Sequence, residues 1–152
     1  MKLTGKIGTF GWSKFLLNEK TRKFEFVASA VYDNVALELI QSCNLYLAEN
    51  KFQLTFNEEP DRIEIDVTGT KCTIKRIYDK DESVEVILDI DNFDIKEYIL
   101  SVISIIFNAR LKLGDKWKKH TNFKFPKKEF KDLLFEYSKL DSNSKDFILA
   151  LL

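Results

Sequence analysis

The chain has 152 residues, 45% of them apolar. That length and composition fit one domain with a proper core and exclude a disordered chain. Its 24 basic and 24 acidic groups cancel, so bulk charge directs it neither to nucleic acid nor to a membrane surface.

Met1–Lys6 has no apolar segment behind it, so no signal peptide is expected. The longest apolar stretch, Tyr98 to Phe107, is interrupted by Ser101 and Ser104 and is about half the ~20 residues of a membrane span. A cytoplasmic protein is expected. The 13 phenylalanines imply an aromatic-rich core. Cys43 and Cys72 lack metal-ligand spacing and read as buried thiols in a reducing compartment.

Residues 3–11 and 22–31 read as strands, joined as a hairpin through a loop at Asn18–Thr21. Asp33 or Asn34 caps a helix to about Glu49, and Asn50 occupies the left-handed position that ends it. Four strands follow. Phe52, Leu54 and Phe56 alternate with polar residues, as do Ile63, Ile65 and Val67. Gly69-Thr70 turns into Cys72–Tyr78, and Val84, Val86, Leu88 and Ile90 alternate in the last strand. The phase breaks near Lys75-Arg76-Ile77, which predicts a bulge or an edge.

From Asp94 to about Leu111 the period becomes helical. Ile95, Ile99, Val102, Ile103 and Ile106 form one stripe, and further apolar residues make the helix buried on most sides. Lys112 to Phe125 reads as an irregular basic loop. Pro126 suits a first helical position, and Phe130, Leu133, Leu134 and Tyr137 follow at i, i+3, i+4 and i+7. Asp141 to Ser144 breaks that helix before a last short one carrying Phe147, Ile148, Leu151 and Leu152. The order ββ-α-ββββ-ααα predicts one α+β domain over residues 1–152. Its antiparallel sheet would have about five to six strands, with the helices packed on one face.

No phosphate-cradling loop and no nucleophile elbow occurs. His120, the one histidine, stands among lysines and reads as a surface residue. Asp66, Asp89 and Asp91 could by count serve a carboxylate-only hydrolase, but their alternation with apolar residues reads as a solvent face. No catalytic residue, metal or cofactor is expected, and the chain does not read as an enzyme.

Charge is sorted along the chain. Residues 1–57 carry seven basic and five acidic groups (+2), residues 58–97 six and thirteen (−7), and residues 98–152 eleven and six (+5). One reading is internal compensation, with Lys75 and Arg76 facing Glu64, Asp66, Glu85 and Asp89 across the sheet. The other is a negative surface for a basic protein partner, built from Glu58, Glu59, Asp61, Glu64, Asp66, Asp79, Asp81 and Glu82. An alternative function is a nucleic-acid-binding module in residues 112–131, where Lys112, Lys116, Lys118, Lys119, Lys124, Lys127, Lys128 and Lys131 surround Trp117, Phe123 and Phe125. The same aromatics also read as anchors for the loop and the following helix.

Several features come together. Trp12 ends the first strand, and the run from Phe24 to Asp33 enters the helix at Val35. Phe52–Phe56 leads to Glu58-Glu59-Pro60, and Trp117 precedes Phe125-Pro126 and an amphipathic helix. In this the chain resembles small bacterial immunity proteins encoded beside polymorphic, contact-dependent toxins. It departs at Asp61, where a glycine would follow the proline. The resemblance implies a cytoplasmic protein that binds one cognate toxin domain, commonly a basic nuclease, and covers its active site. It implies no small-molecule substrate and no membrane partner, and it carries over no catalytic residue.

Overall fold

Residues 2–9, 12–19, 22–29 and 33–141 are described by the structure, a computed structural model. Three strands open the fold: β1 (Lys2–Thr9), β2 (Trp12–Glu19) and β3 (Arg22–Ser29), paired antiparallel in the order β1-β2-β3. After helix α1 (Val35–Glu49) come β4 (Lys51–Asn57), β5 (Arg62–Thr68), β6 (Lys71–Ile77) and β7 (Val84–Ile90), a second antiparallel sheet in the order β4-β5-β6-β7. Helix α2 (Ile95–Leu113), a 3-10 turn at Gly114–Lys116, the short α3 (Trp117–Thr121) and α4 (Lys127–Leu140) complete it.

The α+β class and the antiparallel pairing match the expectation, but the sheet count does not. Seven strands form two sheets where one of five to six was expected. The difference is β2. Phe15-Leu16-Leu17 puts three apolar residues in a row and hides the two-residue period. Asn18 and Glu19, assigned above to a loop, pair with Lys23 and Arg22. The expected loop over 112–125 is also corrected. Its first residues finish α2, and α3 follows. Pro126 stands one residue before α4 as its N-cap. The short helix expected beyond Asp141 lies outside the described residues.

One cluster of buried side chains unites both sheets and the helices. Phe52, Leu54, Phe56, Ile63, Ile65, Val67, Cys72 and Ile74 fill alternate positions of β4 to β6 and are buried. Helix α1 packs on β4, α2 lies along β1, and α4 closes over α1 and α2. Asp94 caps α2 through its carboxylate, which accepts from the Lys96 and Glu97 amides at 3.0 and 3.2 Å. Tyr98 of α2 is fully buried and stacks on Phe52 at 5.4 Å. The Ser42 hydroxyl donates to the Leu39 carbonyl at 2.8 Å, so the Tyr98 hydroxyl, 3.0 Å from it, donates to Ser42. That contact satisfies the one polar atom Tyr98 brings into the core.

Cys43 and Cys72 lie buried in this core as thiols, not as a disulfide. Burial pushes the Cys43 thiol pKa far above its ordinary value, which suppresses the reactive thiolate. We expect neither cysteine to react with a thiol reagent in the native protein at neutral pH. Both should react once denaturant unfolds it, as mass spectrometry after labelling would record.

No ladder joins β3 to β4. Side chains span that seam instead. Phe15, Phe26 and Phe56 stack with centroids 5.2 to 5.8 Å apart. The Asp33 carboxylate accepts from the Asn57 backbone amide at 2.9 Å and its side-chain amide at 2.7 Å. Asp33, expected as a possible helix cap, therefore ties α1's entry to β4. Replacing Asp33 by alanine strands a part-buried amide, and denaturant titration should record a loss of about 1–3 kcal/mol.

Candidate partner-binding surface

The loop between β4 and β5 (58–61) and the loop between β6 and β7 (78–83) come out at the same end of the four-stranded sheet, because both hairpins turn there. One bond ties them together: the Asp79 amide donates to Asp61 Oδ1 at 3.4 Å; within the first loop the Glu58 amide donates to the Asp61 carbonyl at 2.8 Å. Six acidic side chains stand in these loops against one base, Lys80.

The eight acids expected on the surface divide into four groups. Glu58 turns inward as a structural ion pair. Its Oε2 accepts from Arg76 Nε and Nη2 at 3.1 and 2.8 Å, and its Oε1 accepts from the Val27 amide at 3.3 Å. Glu64 and Asp66 lie on the outer face of the sheet, where both bind Lys75, at 3.3 and 2.5 Å. The hydrogen bond that Lys75 donates to Asp66 is the main force raising the Lys75 pKa. Internal compensation therefore accounts for these three, with Arg76 paired to Glu58 and Lys75 to the other two. Asp61 is half-buried as the loop tie. Glu59, Asp79, Asp81 and Glu82 remain exposed at the sheet end.

The loop conformations support a fixed array of charge. Glu59 and Glu82 adopt positive φ of 28° and 54°, a region that favours glycine. Asp81 accepts from the Ser83 hydroxyl at 2.6 Å and the Ser83 amide at 3.0 Å. These bonds hold its carboxyl below the ordinary aspartate pKa and keep it charged.

Next to the loops lies an apolar strip that alternation along the sequence mislocates. Val84 and Val86 read as core, in phase with Leu88 and Ile90. A bulge interrupts the pairing: Ile74 faces Leu88, yet Lys75 faces Val86, so Ile87 is the extra residue. The bulge expected near Lys75 is present, and it reverses the phase of β7. Leu88 and Ile90 point into the core, while Val84 and Val86 are 57% and 58% exposed beside Ile77 and Lys75 on the outer face. The phase break at Lys75-Arg76 was the available signal, but it does not say which end of β7 turns outward.

The other candidate residues do not assemble. Asp66 and Asp89 flank Thr73 in one row of the sheet, two strand spacings or about 9.6 Å apart along the backbone. Thr73 donates to Asp89 at 3.0 Å. Asp91 is exposed, and His120 sits on α3, which packs on β1. Among the described residues no group of three or more His, Cys, Asp or Glu could hold a metal. In the basic segment the eight lysines are exposed, but Trp117 is buried and meets the Phe125 ring edge-on at 4.8 Å. Arg110 covers the Phe125 ring at 5.3 Å. Trp117 and Phe125 thus serve as anchors of α3 and α4, away from the open faces on which bases stack. Among the described residues no helix is long and apolar enough to cross a membrane.

Comparisons with protein-family models, with curated proteins and with solved structures find no match to this chain.

Proposed function

We propose that this chain is an immunity protein: a cytoplasmic inhibitor that neutralises a cognate bacterial toxin domain by stoichiometric binding. The observation that carries the reading is the acidic end of the four-stranded sheet, where Glu59, Asp79, Asp81 and Glu82 border the exposed Val84 and Val86. An apolar centre with a charged rim is the composition of a protein interface. The acids favour a basic partner, such as a toxin that acts on nucleic acid, and speed the encounter. The valines contribute contact area once the surfaces meet. Glu58 and Arg76 hold the loop from beneath and act as positioning residues.

Co-expression tests the proposal. The partner is the variable C-terminal domain of a secreted protein encoded directly upstream. Growth arrest by that domain, relieved by this chain and accompanied by a one-to-one complex on gel filtration, is the expected outcome. Arrest that persists with the folded chain present overturns the proposal.

A further inference from the structure

A groove runs between β1 and α2, on the other sheet from the acidic loops. Two adjoining cavities form it. One, of about 380 Å³, lies between Lys2–Gly5 and the Glu97–Asn108 part of α2; the other, of about 300 Å³, lies between Gly5–Gly8 and the Ile105–Leu113 part. They share Gly5, Ile105 and Asn108, so the helix runs alongside the strand. From Glu97 to Lys112 the helix advances about 22 Å, and from Lys2 to Gly8 the strand advances about 20 Å. The two walls match in length, and that length takes an extended segment of about six residues.

Among the described residues β1 pairs with β2 alone, so its other edge has backbone groups with no ladder partner. We infer that this groove binds an extended, acidic segment of a partner protein, which adds a strand to β1 and lies against α2. Charge and pleat select its chemistry. Lys2 and Lys6 are exposed on the outer face of β1, and Lys112 stands at the far end; none of the three has an ion-pair partner among the described residues. Side chains of an added strand on that face would neighbour Lys2 and Lys6, which suits glutamate or aspartate. Its alternate side chains would face Gly5, Ile105 and Ala109, which suits small apolar residues. At Gly5 the Phe15 ring takes the place of a side chain: a Cβ there would stand 2.5 Å from it. A second copy of the chain fits poorly, because antiparallel pairing of two β1 edges brings lysines together.

The probe is the hexapeptide acetyl-Glu-Val-Glu-Val-Glu-Val-amide, titrated to millimolar concentration into the isotopically labelled full chain. Amide shifts confined to Lys2–Gly8 and α2, with about tenfold slower hydrogen exchange in β1, are expected. The same peptide with lysine for glutamate should leave the spectrum unchanged. The double variant K6E/K112E should weaken binding about tenfold, and Ser104→Trp, at an exposed position of α2, should block it with the melting curve retained. No shift at β1, equal binding of the lysine peptide, or unaltered binding by folded Ser104→Trp overturns the inference. So does full protection of the β1 edge without peptide, whether in a dimer or in a monomer that fills its own groove.

Discussion

Reversing charge at Glu59, Asp79 and Glu82 together, each to lysine, is expected to slow association with the toxin domain by about 10- to 100-fold. The thermal midpoint should stay within a few degrees of the parent. These three side chains are exposed and make no ion pair among the described residues, so their charge has no internal task that the structure shows. Asp61 is left alone because its carboxylate ties the two loops, and Glu64 because its reversal would set a lysine against Lys75. Stopped-flow association at two salt concentrations checks the prediction. The parent rate should fall steeply with salt and the variant rate should not, because screening acts on exposed charge. Equal rates for a folded triple variant would remove the acidic end as the binding surface.

Phe15→Ala is expected to cost about 3–5 kcal/mol, a large part of the ~5–15 kcal/mol that holds a domain of this size together. Phe15 is 1% exposed and stacks on Phe26 of its own sheet and on Phe56 of the other. Its loss leaves a cavity where no backbone ladder crosses between the sheets. Neighbours cannot close that cavity without shifting one sheet against the other. Denaturant titration gives the cost. Phe15→Leu, which refills most of the volume, should recover more than half of it; if it recovers nothing, ring stacking outweighs volume at this seam.

The parts of the fold that could be read from residue order are those where one period runs cleanly. Strands β4 and β5 alternate throughout, and β6 does so as far as Ile74; each buries the residues its pattern marks there. Phe130, Leu133, Leu134 and Tyr137 all face inward from α4, and Asn50 ends α1 in the left-handed region. What stayed hidden depends on distant neighbours. Leu16 faces out half-buried between Phe15 and Leu17, so β2 shows no clean alternation. The aromatics of the basic segment read from sequence either as stacking faces or as anchors, and only the burial of Trp117 against Phe125 decides for the anchor. For the candidate surface, the excess of acid was legible, but its division was not. Glu58 and Glu59 are adjacent in sequence, and only the position of Arg76 across the sheet sets one as an internal partner and leaves the other outside.

A run with an unbroken two-residue period carries no mark of which side it presents; the tally of residues between ladder partners supplies that mark. One surplus residue at Ile87 lets β7 line the interior at one end and leave apolar side chains open to solvent at the other. The two ends are thereby free to drift separately. Val84 and Val86 can be exchanged without touching the core, while Leu88 and Ile90, a few residues away, keep the interior filled.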